Sequence, residues 1–253
     1  MSRTLFLFLF MTAAFAAGAQ PTPASDTLTA GVFPSPTGDN PIVLKGATRD
    51  LSDLDIRLIT LHPGQPFRFT RNDSSDHLII IRNGNIAFTT DNFTRVFGPG
   101  GIALSAAIWP RLINMTAKTD ASFYLFSFRS RSGADLNRIK NIIPVHEADW
   151  GDLPMKKTDK GESRAIFSQP VTWLKNINMH ATTLNPGEIS HPQHMHRAEE
   201  ILLLRSGNVR MHIAGGYIPA KGGDLVFLPS GVPHDLENGP TGRAEYFALQ
   251  WEP

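Results

Sequence analysis

The chain contains no cysteine. That excludes disulfide bridges, thiolate catalysis and anchoring through a lipid-modified cysteine, and it leaves any metal to nitrogen and oxygen ligands. Charge of one sign is also missing: Lys+Arg number 24 against Asp+Glu 23, a formal net charge of +1. Without a Lys/Arg-rich stretch to follow a phosphate backbone, nucleic acid is not an expected partner. Long helical periodicity is absent, and no apolar run reaches the roughly 20 residues needed to cross a bilayer. What is present is Gly (21) and Pro (19) punctuation and 41% apolar residues over 253 positions. That length and composition suit one large core or two modest ones.

The first twenty residues, MSRTLFLFLFMTAAFAAGAQ, place Arg3 before an apolar run from Leu5 to Ala17 and an Ala17-Gly18-Ala19 triplet of the small-x-small kind. This order reads as a secretory signal over residues 1–19, cleaved after Ala19, and predicts an exported protein, periplasmic or secreted, with no membrane anchor once the signal is removed. Residues 20–46, containing QPTPASDT and FPSPTGDN, read as an extended leader lying on the domain that follows.

Two segments share one pattern. LSDLDIRLITLHPG from Leu51 and LKNINMHATTLNPG from Leu174 stand 123 residues apart. The same offset lays Asp76 to Ile86 on Glu199 to Val209, Gly100 on Gly223, Pro110 on Pro233, and Ala121 to Phe128 on Ala244 to Trp251. One register kept over nearly eighty residues means one domain present twice. Each copy alternates short apolar runs with Pro-Gly, Asn-Gly-Asn and Gly-Pro-Gly-Gly turns, the pattern of an all-β sandwich or barrel. The expected organisation is a first domain over 47–130, a charged connection over 131–165 and a second domain over 166–253.

The second copy carries HPQHMHRAEEILLLRSGNV, residues 191–209. Side chains two apart on a strand share a face, so His194 and His196 point the same way and Glu200 keeps their parity. GGDLVFLPSGVPHDLEN offers His234 after a Pro229-Ser230-Gly231 turn. Three imidazoles and a carboxylate suit one divalent transition metal, Mn, Fe, Ni, Zn or Cu, better than Ca or Mg. His191, three residues before His194, falls off that face and reads as rim, and His212 reads as surface. His180 shares parity with Thr182 and Leu184 and is open to two roles, a pocket acid/base or a satisfied core histidine. Phe227, Tyr246, Phe247 and Trp251 lie near the ligands in sequence; Phe227 and Tyr246 are taken as candidate substrate-pocket residues.

These residues resemble the two signature motifs of the cupin superfamily. The first reads His194-x-His196-x3-Glu200-x6-Gly207 and the second Gly223-x5-Pro229-x-Gly231-x2-His234-x3-Asn238. A departure is Gly187, which stands one residue further from His194 than the usual spacing. With the repeat, the resemblance covers the chain after about residue 47 and implies a bicupin: two jelly-roll β-barrels in tandem, with His194, His196, Glu200 and His234 as metal ligands.

At the same offset the first copy has Arg71, Asp73, His77 and Arg111. Guanidinium is always protonated and has no acceptor, so these arginines cannot ligate a cation. The first barrel is therefore expected to be degenerate, and one metal per chain is expected. The resemblance implies metal-dependent enzymes on small organic acids, phenolics or sugar-derived compounds. Oxygenase-like chemistry is favoured, with lyase, isomerase or aminohydrolase chemistry and a non-catalytic binding protein as alternatives. The expected partner is a small-molecule substrate or ligand, and homo-oligomer formation is left open.

Overall fold

The computed structural model describes residues 27–69, 73–90, 93–106, 111–116, 118–140 and 145–253. The signal segment and Arg71 lie outside these. The described chain is built of β-strands and two short 3-10 turns. Strands β1 (Gly31–Phe33) and β2 (Ile42–Gly46) are followed by β3 (Leu51–Leu61), β4 (Pro66–Arg68), β5 (Asp76–Asn83), β6 (Ile86–Thr89), β7 (Thr94–Phe97), β8 (Ile102–Ser105), β9 (Arg111–Asn114) and β10 (Ala121–Ser130). The connection supplies β11 (Val145–Ala148) and β12 (Met155–Thr158). The second copy contains β13 (Gly161–Gln169), β14 (Asn176–Leu184), β15 (Glu199–Ser206), β16 (Asn208–Ile213), β17 (Gly216–Lys221), β18 (Leu225–Leu228), β19 (His234–Asn238) and β20 (Ala244–Glu252).

Each barrel has a large and a small antiparallel sheet. The first pairs a six-stranded sheet, β11-β8-β5-β10-β3-β2, with β4-β9-β6-β7; the second pairs a seven-stranded sheet, β1-β18-β15-β20-β14-β13-β12, with β17-β16-β19. The all-β expectation holds, and strand registers reproduce the repeat. Leu58 faces Tyr124 as Ala181 faces Phe247, and Ile79 faces Ala103 as Leu202 faces Val226. The turns repeat as well: Gly84 and Gly207 both have positive φ, and a Cβ on either would strike Ala121 or Ala244. Only glycine fits there.

The connectivity differs from the expected layout at the ends. β1, in the leader, pairs with β18 of the second barrel, whereas β2 joins β3 of the first. Within the connection β11 extends the first barrel through β8, and β12 and β13 belong to the second. The reason is that an edge strand needs a hydrogen-bonding partner, and short pieces of linker supply it.

The apolar residues fall into three clusters. Leu184, Leu202, Leu204, Val209, Met211, Val226 and Leu236 fill the second barrel, and Ile59, Ile79, Phe88, Phe97, Leu112 and Phe123 fill the first. The third cluster combines Ile80, Tyr124 and Phe126 with Ile177, Leu203, Phe227 and Trp251, so it belongs to both barrels at once. A strand such as β15 is apolar at every position from Ile201 to Leu204 because Ile201 and Leu203 face the shared core while Leu202 and Leu204 face the barrel.

Candidate metal centre

The three histidines come from two neighbouring segments. His194 and His234 form an antiparallel bridge, with His194 N donating to His234 O (3.1 Å) and His234 N to His194 O (2.9 Å). Gly231 N donates to His196 O at 2.8 Å, tying the turn before β19 to the loop before β15. Ligand atoms of His194, His196 and His234 then lie within 4.8 Å of one another. Glu200, on β15, reaches the same point: its Oε2 is 3.4 Å from His196 Nε2 and 3.3 Å from His234 Nε2. The structure thus brings together all four residues singled out from the sequence.

The protonation pattern fits a cation. His196 Nδ1 lies 2.8 Å from Ala198 O, and His234 Nδ1 lies 2.8 Å from Val232 O. A carbonyl accepts only, so both Nδ1 atoms carry the proton and both Nε2 atoms of the neutral rings are acceptors. These two Nε2 atoms are buried without a hydrogen-bond partner. Acceptors face a carboxylate, an arrangement that needs either two imidazolium ions or a metal between them.

Glu200 remains anionic. Burial raises its pKa; in the imidazolium alternative His196 and His234 donate from Nε2 and Gln250 Nε2 donates at 3.1 Å, which outweighs that rise and brings it to about 2, while Glu200 in turn raises the pKa of His196. His194 is pushed down by burial and by its imidazole neighbours His191, His234 and His196, which favours the neutral, ligating form.

A cavity of about 210 Å³ opens beside these groups. His180 and Tyr246 both line it, together with His191, Ser190, Gln250 and Asp235. Burial lowers the His180 pKa against the opposing charge of Glu200. Burial also pushes Tyr246 up to about 12, with Thr182 and Ser190 hydrogen-bonded to it, so its hydroxyl keeps its proton. Phe227 is not in the cavity. It alternates with Val226 and Leu228 along β18 and faces the shared core, as do Phe247 and Trp251. Of the four aromatic residues near the motifs, Tyr246 alone has the inward parity.

Sequence reasoning missed two neighbours of the site. His191, read as rim, packs its ring 4.0 Å from that of His194. Gln250 follows Tyr246 and Ala248 on the inward face of β20, so parity from Tyr246 would have found it. His212, read as surface, does lie on the outer face of β16 between the inward Met211 and Ile213, half-buried, stacked on Tyr217 and 3.0 Å from the Asp235 carboxylate.

The first barrel is filled where the second is hollow. Phe67, Phe88 and Phe123 occupy the repeat positions of the cavity-lining Ser190, Met211 and Tyr246. Phe69 packs 4.4 Å from His77, which bonds Ser127 (3.0 Å) and approaches Asp73 (3.5 Å). The void beside Phe88 and Phe97 is about 10 Å³.

One assignment needs correction. Phe88 faces Leu112 while Met211 faces Leu236. Asn114 Nδ2 caps Leu61 O and Thr119 O as Asn238 Nδ2 caps Leu184 O and Gly242 O. In β9 the offset is therefore 124, because the second barrel has one more residue before this strand. Arg111 corresponds to Asp235, and the counterpart of His234 is Pro110, outside the described residues. Proline has no ligating side chain, so the first barrel still lacks the set.

Residues 180–249 match the family model described as the cupin domain. No curated protein matches the chain in sequence. Among solved structures, a Pseudomonas aeruginosa protein designated glyoxylate-induced is similar over 93% of this chain and 93% of its own (TM-score 0.68, 12% identity). The formate complex of Lactobacillus farciminis oxalate decarboxylase is similar over 90% of this chain and 87% of its own (TM-score 0.61, 14% identity). A salicylate 1,2-dioxygenase from Pseudaminobacter salicylatoxidans is similar over 78% and 70% (TM-score 0.59, 12% identity). The second barrel therefore belongs to the cupin family, and the chain as a whole carries the cupin fold twice.

Proposed function

We propose that the protein is an exported metal-dependent enzyme acting on a small organic acid or a similarly compact oxygenated molecule, with one metal per chain in the second barrel. The observation that carries this reading is the pair of buried, unpartnered Nε2 atoms of His196 and His234 converging with His194 on the Glu200 carboxylate. A cavity of about 210 Å³ is below the usual range of roughly 300–1,000 Å³ for drug-sized ligands, which favours a small substrate over a polycyclic phenolic.

A divalent transition metal at this point supplies Lewis acidity, activated water or oxygen chemistry. The chain's own residues do the rest. Glu200 contributes the negative charge and is kept in place by Gln250. Tyr246, held protonated, is a hydrogen-bond donor toward a carboxylate or carbonyl oxygen in the cavity. His180, neutral and facing the same space, is a base that can take a proton from bound substrate.

Oxygen-dependent conversion is the first reading. Metal-assisted lyase or isomerase chemistry is the second, favoured by the presence of two proton-handling side chains, His180 and Tyr246, on one cavity wall.

Elemental analysis of protein exported through its own signal should give one metal per chain, and His194→Ala or His234→Ala should abolish most of it. Glu200→Gln, which keeps shape and removes the anion, should weaken binding at neutral pH. Oxygen uptake should then be screened against small acids, diketones and phenolics, alongside formate and CO2 release. Two tight metals per chain, or none, would overturn the reading. Export rests on Arg3, the apolar run and the Ala17-Gly18-Ala19 triplet; mass analysis of the exported chain should show Gln20 as its first residue.

A further inference from the structure

Glu199 and Glu200 are adjacent on β15 and so point to opposite sides of the sheet. Glu200 enters the barrel. Glu199, fully buried, points to the first domain and meets the turn between β2 and β3. Thr48 Oγ1 donates to Glu199 Oε2 (2.6 Å), Arg49 N to Oε1 (3.1 Å) and Asp50 N to Oε2 (3.1 Å). Two residues earlier, Arg197 closes a two-pronged ion pair on Asp50, with contacts of 2.7 and 2.9 Å. The same turn also reaches the other ligand-bearing segment: Arg49 Nη1 donates to Ser230 Oγ at 3.0 Å, in the turn that delivers His234. The turn is itself fixed, since Arg131 donates from Nε to Thr48 O and from its backbone N to Asp50 O, both at 3.0 Å.

We propose that the turn Thr48-Arg49-Asp50 of the first barrel is a positioning element for the metal centre of the second, gripping from outside the two segments whose inner sides present the ligands. This rests on the metal-centre reading above. The ligands His196 and Glu200 bracket Arg197 and Glu199, so a shift of either clamped residue moves a ligand, and the Ser230 contact sets His234 relative to both. The first barrel, with no ligand set of its own, then has a role in the chemistry of its neighbour.

A related contact runs in the opposite direction. Trp173, at the repeat position of Asp50, donates from its backbone N to Asp76 (2.9 Å) and from Nε1 to Ser74 O (2.6 Å). That contact docks the barrels but touches no proposed ligand segment, which makes it the natural control.

The test uses the intact chain. Affinity for Zn(II) and Co(II) is measured by chelator competition, and the visible absorption of the Co(II) form reports the ligand geometry. Asp50→Asn and Arg49→Ala should each weaken binding about tenfold or more, the size expected for partners that orient ligands, and should change the Co(II) spectrum. Arg49→Lys, which keeps a donor, should recover most of the affinity. Trp173→Phe should leave affinity and spectrum as in the wild type while lowering the melting temperature. Wild-type affinity and spectrum in both Asp50→Asn and Arg49→Ala, or an equal loss in Trp173→Phe, would overturn the positioning role and leave the metal centre standing. A wild-type chain that binds neither metal would overturn both.

Discussion

His77 shows how one residue changes its role when its surroundings change. It occupies the repeat position of Glu200, and its partner Ser127 occupies that of Gln250. Instead of opening onto a cavity it is covered by Phe69, and burial outweighs the attraction of Asp73, bringing its pKa down from 6.5 to about 4. The unfolded chain takes up a proton here below about pH 6.5 and the folded chain does not until about pH 4. The stability contribution is therefore fully present above 6.5 and is lost as the pH falls through this window, to a limit on the order of 3 kcal/mol. Urea titrations of metal-free protein at pH 7 and pH 4.5 should show that loss, and His77→Asn should flatten it. A variant with undiminished pH dependence would place the acid sensitivity elsewhere.

At the level of strands, much of the molecule could be read in advance. Parity put His194, His196 and Glu200 on one face, although the two histidines stand in the loop before β15 and the bridge to His234 aligns them; Tyr246 followed only from its nearness to the ligands. Phe227 failed under the same rule: β18 is apolar on both faces, so hydrophobicity gave no sign of which face held the cavity. The β9 register failed because the second barrel has one residue more before β19 and one fewer after it, so the pairing shifts in this strand alone while Pro110 still falls on Pro233 at the general offset. The elements also say why one barrel is hollow. Met211 on β16 stands where β6 has Phe88, so Met211→Phe should reduce the space for substrate. It should raise KM or abolish turnover while leaving metal stoichiometry at one, and overpacking should cost about 1–3 kcal/mol. Unchanged kinetics, measured with whichever small acid proves active, would mean that the substrate does not use the inner part of the cavity.

On the scale of the whole molecule, the two barrels share a core that neither owns. Ile177, Leu203, Phe227 and Trp251 would be bare if residues 166–253 were made alone, and β18 would also lose β1. Such a fragment should be insoluble or should bind a hydrophobic dye strongly, and adding residues 27–140 as a separate chain should restore solubility. A soluble, cooperatively melting fragment would show that the shared core is dispensable. The crossing of β1 has another consequence, for the order of events as the chain is made. Ser35 N bonds the Asp224 carboxylate across 189 residues, and Gly31 to Phe33 pair with Leu225 to Phe227. β1 must wait for a strand made about 190 residues later. Contacts of such sequence separation form slowly, so β1 stays unpaired until β18 has been made, and the edge of the second barrel's large sheet closes late.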